Sequence, residues 1–302
     1  MAKRKRSGFS YLFILLMALG VVAYVFNLGG FKDMVDAARN KEKGYTEEVN
    51  NNNGTGNNNS QSDDSNTTTS VKDIKTESLE IPASSYKVTR HAHFALGYDE
   101  RHEQAAWVAY KLEARETRGR AEREDRFIPD PSVTTRTARH SDYSGSGYDR
   151  GHLAPAADFK FSKKAMAESF YMSNMSPQKP RFNRGIWKSL EEQVRENVRK
   201  DKAYYIVTGP VLKGGRFRKI GRKTKVSVPK YYYKILLDLE EPEIKAIAFL
   251  MKNEGSDKPL SSFVVSIDKV EEITGIDFFP NLPDDLEKKL EASTSLKGWK
   301  FD

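Results

Sequence analysis

Residues 47–70 read EEVNNNNGTGNNNSQSDDSNTTTS, and Val49 is the sole apolar side chain among them. A segment of this kind has no apolar surface to bury, so nothing offsets the entropy of ordering it. No hydrophobic core can run through it, and whatever folds must be built on one side of it or the other. The pattern predicts a low-complexity flexible linker over 31–80, a coil spanning about 40 Å root-mean-square. A folded domain is then expected over 81–302.

The segment in front of the linker has a different character. Lys3, Arg4, Lys5 and Arg6 precede residues 9–28, which carry no charge. A helix needs about 20 apolar residues to cross a bilayer, and no small-x-small cleavage pattern follows. Residues 1–30 are therefore expected to form a cytoplasmic basic stub and an uncleaved transmembrane signal anchor; a buried core helix is the alternative. Positive charge stays on the cytoplasmic side, so the anchor would place the folded domain outside the cytoplasm, on the periplasmic or cell-surface side.

Beyond residue 81 the texture is that of a globular protein. Residues 106–114, 203–211, 226–239, 244–251 and 263–268 are rich in β-branched and aromatic side chains bounded by Gly, Pro or charge, and read as strands. Helices are expected from a Ser162 cap onward and over 183–200, where Ile186, Leu190, Val194 and Val198 make an apolar stripe. Strands and helices do not alternate regularly. The expected class is α+β, a mostly antiparallel central sheet flanked by helices, rather than a doubly wound sheet.

Zero cysteines exclude disulfides, thiolate metal sites and cysteine nucleophiles. Any metal must be held by oxygen or imidazole, which favours hard ions such as Mg²⁺, Ca²⁺ or Mn²⁺. Fifty Lys+Arg against 42 Asp+Glu give a net charge of +8, compatible with a polyanionic partner and equally with a mildly basic surface.

Two clusters carry candidate chemistry. In YDRGHLAPAADF, His152 follows Asp149, Arg150 and Gly151 directly after the glycine-serine run at 144–147. Imidazole is the one side chain whose ordinary pKa suits a general base near neutrality, and a guanidinium fork matches phosphate. In SNMSPQKPRFNRGIWKSLEEQ, Asn174 and Asn183 offer amide oxygens to a hard cation. Taken alone, Asn183 also suits a helix cap, and Glu191 with Arg195 an ordinary i, i+4 surface pair.

Together the clusters are more specific. DRGH at 149–152, SNMSPQ at 173–178 and N-x-x-x-W-x-x-L-E over 183–191 resemble the DNA/RNA non-specific endonuclease family. That is the ββα-metal, or His-Me finger, group that includes endonuclease G. The likeness extends through VTGPV, VPKYYYKI and TGIDFFP and covers about 86–279. It implies a ββα-metal finger active site and Mg²⁺-dependent hydrolysis of DNA and RNA, with Mn²⁺ or Ca²⁺ as alternatives. By the same resemblance His152 is the general base, Asn183 the direct metal ligand and Glu191 the residue holding the metal's water shell. Arg150 steadies charge on the phosphate, as does Arg195 from the helix. Asn174 supports the site, Asp149 accompanies it, and the upstream family arginine is matched to Arg126. The products would carry 5′-phosphates.

Residues 212–225 hold seven basic side chains and no acid. They read either as a phosphate-tracking loop or as a solvated hairpin. A membrane-tethered, sequence-independent nuclease is the expected function. A non-catalytic surface receptor that binds nucleic acid for uptake is the alternative, and oligomeric state is not legible.

Overall fold

The computed structural model describes residues 78–123 and 125–301, all within the compact unit spanning 67–302. The expected anchor and most of the expected linker lie outside the described residues. No helix among the described residues is long and apolar enough to cross a membrane.

The strands, in chain order, are β1 (Val88–Arg90), β2 (Ala95–Asp99), β3 (Gln104–Glu113), β4 (Asp149–His152), β5 (Met175–Gln178) and β6 (Ala203–Pro210). They continue with β7 (Lys219–Ile220), β8 (Val226–Ser227), β9 (Tyr231–Asp238), β10 (Lys245–Lys252) and β11 (Val264–Val265). The helices are α1 (His140–Tyr143), α2 (Lys163–Ser169), α3 (Trp187–Asp201), α4 (Ile267–Thr274) and α5 (Asp284–Glu291).

Seven strands form one sheet in the order β1-β2-β3-β6-β9-β10-β11, every neighbouring pair antiparallel. Every residue of β6 is buried, and so is all of β9 except Tyr231. Both sheet faces are therefore covered, which explains why these strands read as continuous apolar runs rather than alternating ones. On one face Trp187, Leu190, Val194 and Val198 of α3 pack with Val108, Ile206 and Leu236. On the other, Ile267 and Val270 of α4 and Leu290 of α5 pack with Val207, Ile235 and Ala248. The expected α+β class with an antiparallel sheet holds.

Ser162 accepts from the Ala165 amide and caps α2, as its sequence predicts. The expected strand at 263–268 is cut short: only Val264–Val265 pair with β10, because the Ser266 hydroxyl accepts from the Lys269 amide and starts α4. The expected strand at 226–239 is two strands, divided around Pro229, whose ring nitrogen cannot donate to a ladder.

β4 and β5 form a separate antiparallel pair, and the chain leaves β5 through a π-helical turn (Phe182–Ile186) into α3. This strand–strand–helix unit is the ββα finger that the motif implies. It is fixed to the main sheet by a buried polar network. The Tyr232 hydroxyl donates to the Pro177 carbonyl at 3.0 Å, and Asn253 Nδ2 donates to the same carbonyl at 3.0 Å. Ser176 links Tyr232 to Gln104 of β3.

Within the finger, Gly151 lies opposite Ser176, and a Cβ there would overlap the side-chain amide of Gln178, which is fully buried. Overpacking of this kind costs about 1–3 kcal/mol. Gly151→Ala is expected to lower the urea midpoint accordingly, and Gly151→Ala/Gln178→Ala to recover most of the loss. A single variant as stable as the parent would contradict this packing.

Candidate active site

Gly145 (φ +67°) and Gly147 (φ +83°) take left-handed backbone angles that turn the chain into β4. β4 then delivers Arg150 and His152 to a cleft of about 570 Å³ that α3 closes with Glu191 and Arg195. Asn183 lines the same cleft from the π-helical turn.

The His152 ring stands between Phe170, edge-on at 4.9 Å between centroids, and Phe127 at 5.9 Å. Its Nε2 is buried and has no hydrogen-bond partner. Burial lowers its pKa to about 3, helped by the charges of Arg123 and Arg150 and opposed by Asp125. The imidazole is therefore neutral throughout the physiological range, with a free lone pair or proton at Nε2.

Asn183 is placed by Asp149. Its Nδ2 donates to Asp149 Oδ2 at 2.9 Å, and Arg184 grips the same carboxylate through Nε (2.8 Å) and Nη2 (2.7 Å). Burial would raise the Asp149 pKa, but the hydrogen bonds from Arg184 and Asn183 outweigh it and hold the carboxyl below its ordinary range. Because a carboxylate only accepts, the Asn183 amide nitrogen must face Asp149, which leaves its oxygen for another ligand. Asn183 is not a helix cap: regular α3 geometry begins at Trp187, behind Ile186, which makes no side-chain cap.

Glu191 and Arg195 are more than a surface pair. Arg195 donates to Asp158 Oδ1 at 2.8 Å, and Tyr110 donates to Asp158 Oδ2 at 2.8 Å. Burial pushes the Glu191 pKa upward, Lys234 opposes that, and Asp158 adds to it. Arg150 lines the cleft with its guanidinium 4.5 Å above the Phe127 ring and its Nε without a partner.

Two expected residues stand elsewhere. Asn174 is fully buried; it accepts from the Ala154 amide and donates to the Ala154 and Ser169 carbonyls. It therefore holds the chain just after His152 from beneath and does not face the cleft. Arg126 is exposed and outside the cleft lining, whereas Arg123, three residues earlier, lines it and acts on His152. Of the two arginines, Arg123 is the one that reaches the cleft. No residue of the basic loop 212–225 lines the cleft; Lys219 donates to the Arg101 carbonyl and Lys213 to the Glu272 carbonyl. Sequence reasoning also missed Arg184, Asp158 and Lys234, which no linear motif singles out.

A hard divalent ion fits this donor set. The amide oxygen of Asn183 and the carboxylate of Glu191 share the cleft, and neither is a soft ligand. Groups of three carboxylates close enough to hold an ion occur elsewhere, around Glu291 with Asp268 and Glu271 or with Asp277 and Glu287.

Residues 71–285 match the family model for DNA/RNA non-specific endonuclease. The chain belongs to this family. It is 37% identical over 218 residues to the mitochondrial nuclease EXOG of Danio rerio, covering 67% of this chain and 63% of that one. It is 36% identical over 203 residues to human mitochondrial endonuclease G, covering 63% of this chain and 68% of the relative. A nuclease of Nostoc sp. is 37% identical over 211 residues, 66% of this chain and 75% of its own. The crystal structure of the EndoG/EndoGI complex superposes with a TM-score of 0.63 at 31% identity, covering 67% of this chain and 89% of that chain.

These findings correct the expected location. The EXOG and endonuclease G relatives are mitochondrial nucleases by name, and no helix among the described residues could cross a membrane. A membrane-anchored, extracytoplasmic nuclease is not what this family membership supports.

The His152 environment has a direct spectroscopic consequence. Its folded pKa lies below the ordinary 6.5, so the imidazole resists protonation until the pH nears 3. In the free protein its ring resonances are expected to stay unchanged between pH 5 and 8. An inflection near 6.5 would show that the ring is solvated rather than held between Phe127 and Phe170.

Proposed function

We propose that this nuclease-family chain hydrolyses phosphodiester bonds in DNA and RNA, without sequence preference, using His152 as general base. The observation that carries this reading is the shared cleft. The His152 imidazole and the Asn183 amide, whose oxygen Asp149 leaves free, line the same basic space, beside Arg150, Arg123 and Lys188.

Neutral His152 takes a proton from water as the water oxygen bonds to phosphorus. The bond from phosphorus to the 3′-oxygen breaks, the leaving oxygen collects a proton from solvent water, and the product keeps a 5′-phosphate. Arg150 and Arg123 hold the non-bridging oxygens, where charge accumulates in the transition state. They also lower the basicity of His152 in the free protein, and an entering phosphate anion offsets that effect. Asn183 would hold a hard divalent cation, Mg²⁺ with Mn²⁺ or Ca²⁺ as alternatives, and Glu191 would order the water around it. Such an ion, when bound, supplies Lewis-acid charge at the phosphate and the leaving oxygen.

Backbone phosphates are the same in every sequence, so contacts of this kind position a strand without reading it. A receptor that only holds nucleic acid needs basic side chains. It has no use for an orphaned imidazole beside an oriented amide oxygen.

Plasmid nicking with and without EDTA separates the two readings. The parent is expected to cleave with divalent metal and stop with EDTA. His152→Ala is expected to lose about 10²- to 10⁴-fold in rate while still retarding DNA. Retardation by the parent with no cleavage at any metal concentration would favour the receptor.

A further inference from the structure

Along β9 the side chains alternate, and Tyr232, Lys234 and Leu236 point to the face covered by α3. Tyr232 and Leu236 belong to the hydrophobic core there, so the position between them calls for an apolar residue. It holds a lysine that is 1% exposed. Lys234 Nζ is buried without a hydrogen-bond partner, 5.1 Å from the centroid of the Trp187 ring. A lone buried ammonium is strongly disfavoured, and a well-packed apolar side chain is usually at least as stable. Fold stability therefore does not account for Lys234.

What surrounds it does. Trp187 and Glu191 are four residues apart on α3 and so share one helix face, the face that Lys234 meets through the indole ring. Glu191 and Lys234 are each other's strongest electrostatic partner, with Asp158 and Arg195 completing the set. Glu191 and Arg195 line the cleft, whereas Lys234 does not. The group holds two positive and two negative side chains, and Arg195 is already engaged by Asp158 at 2.8 Å. Lys234 is the cation left to balance Glu191.

We propose that Lys234 is a positioning residue, whose side chain beneath α3 holds the Glu191 carboxylate in place to order the water shell of the divalent ion. This rests on the reading of the cleft given above. Lys234 touches neither substrate nor metal and acts through Glu191 alone. Groups that orient a metal's surroundings from one shell further out typically change metal affinity or activity by about ten- to hundredfold when removed.

The test is Lys234→Met, a straight apolar side chain of similar length, in the full chain. Mn²⁺ affinity is measured by titrating the free-ion paramagnetic resonance signal without nucleic acid, and cleavage of plasmid is followed separately. The expected result is Mn²⁺ binding weakened by about ten- to hundredfold, with kcat reduced and KM for DNA unchanged. In a Glu191→Gln background the same substitution should change Mn²⁺ affinity by less than about twofold, because the residue it acts through is gone.

A folded Lys234→Met protein that binds Mn²⁺ like the parent overturns the proposal, as does one that only melts at lower temperature. Should Lys234→Met fail to fold, Lys234→Gln is read by the same criteria. A parent that cleaves and binds Mn²⁺ beside an unaffected variant sinks this inference alone. A parent that does neither sinks the functional reading with it.

Discussion

The grip of the Asp149 carboxylate on Asn183 and Arg184 ties the two halves of the site together. It joins the first residue of β4 to the turn that starts α3, across 34 and 35 positions of chain. Because Asp149 sits in register with Gln178, any slip of β4 against β5 would also move the Asn183 amide. The strand pair, the turn and the helix therefore behave as one unit. The carboxylate also decides which way the Asn183 amide faces, and so where its oxygen is presented. The exposed Arg184 adds a two-point hold, the geometry in which a guanidinium binds a carboxylate best.

Around this unit the usual rule of satisfied buried polar atoms is broken repeatedly. Arg150 Nε, His152 Nε2, Lys234 Nζ, Trp187 Nε1 and both polar atoms of Gln178 are buried without partners. All six belong to β4, β5, β9 or the start of α3. Native proteins leave few such atoms, and a cluster of them calls for a reason. The buried network of Gln104, Ser176, Tyr232 and Asn253 alongside is well connected by contrast. One network fixes the finger to the sheet; of the other group, Arg150 and His152 line the cleft and the rest lie behind it. Local departures from ideal folding rules concentrate where function needs them.

Much of this was legible in the sequence. DRGH and the N-x-x-x-W-x-x-L-E block point, through the family resemblance, to His152, Asn183 and Glu191, and the three side chains line one cleft. The apolar stripe of α3 and the Ser162 cap were also readable, since both follow from 3.6-residue periodicity and local hydrogen bonding. Arg123 was not distinguished from Arg126, because in an irregular segment no periodicity says which side chain turns inward. Lys234 was hidden in an apolar strand, where a single charge reads as an edge or an exposed position. The short β1, β2, β4 and β5 carry too little alternation to be found alone. The apolar run at 9–28 met the length criterion for a bilayer span, and with the basic cluster before it and no cleavage pattern after it led to the location corrected above.

The central claim is that one hard cation binds at the Asn183 amide oxygen, in the space His152 faces, without imidazole ligation. Anomalous diffraction from crystals soaked in Mn²⁺ tests this most directly. The expected result is a single strong peak bound to Asn183 Oδ1 and otherwise to water, with Glu191 hydrogen-bonded to that water. A peak bound to His152 Nε2, or one found only among Asp268, Glu271 and Glu291, would contradict it.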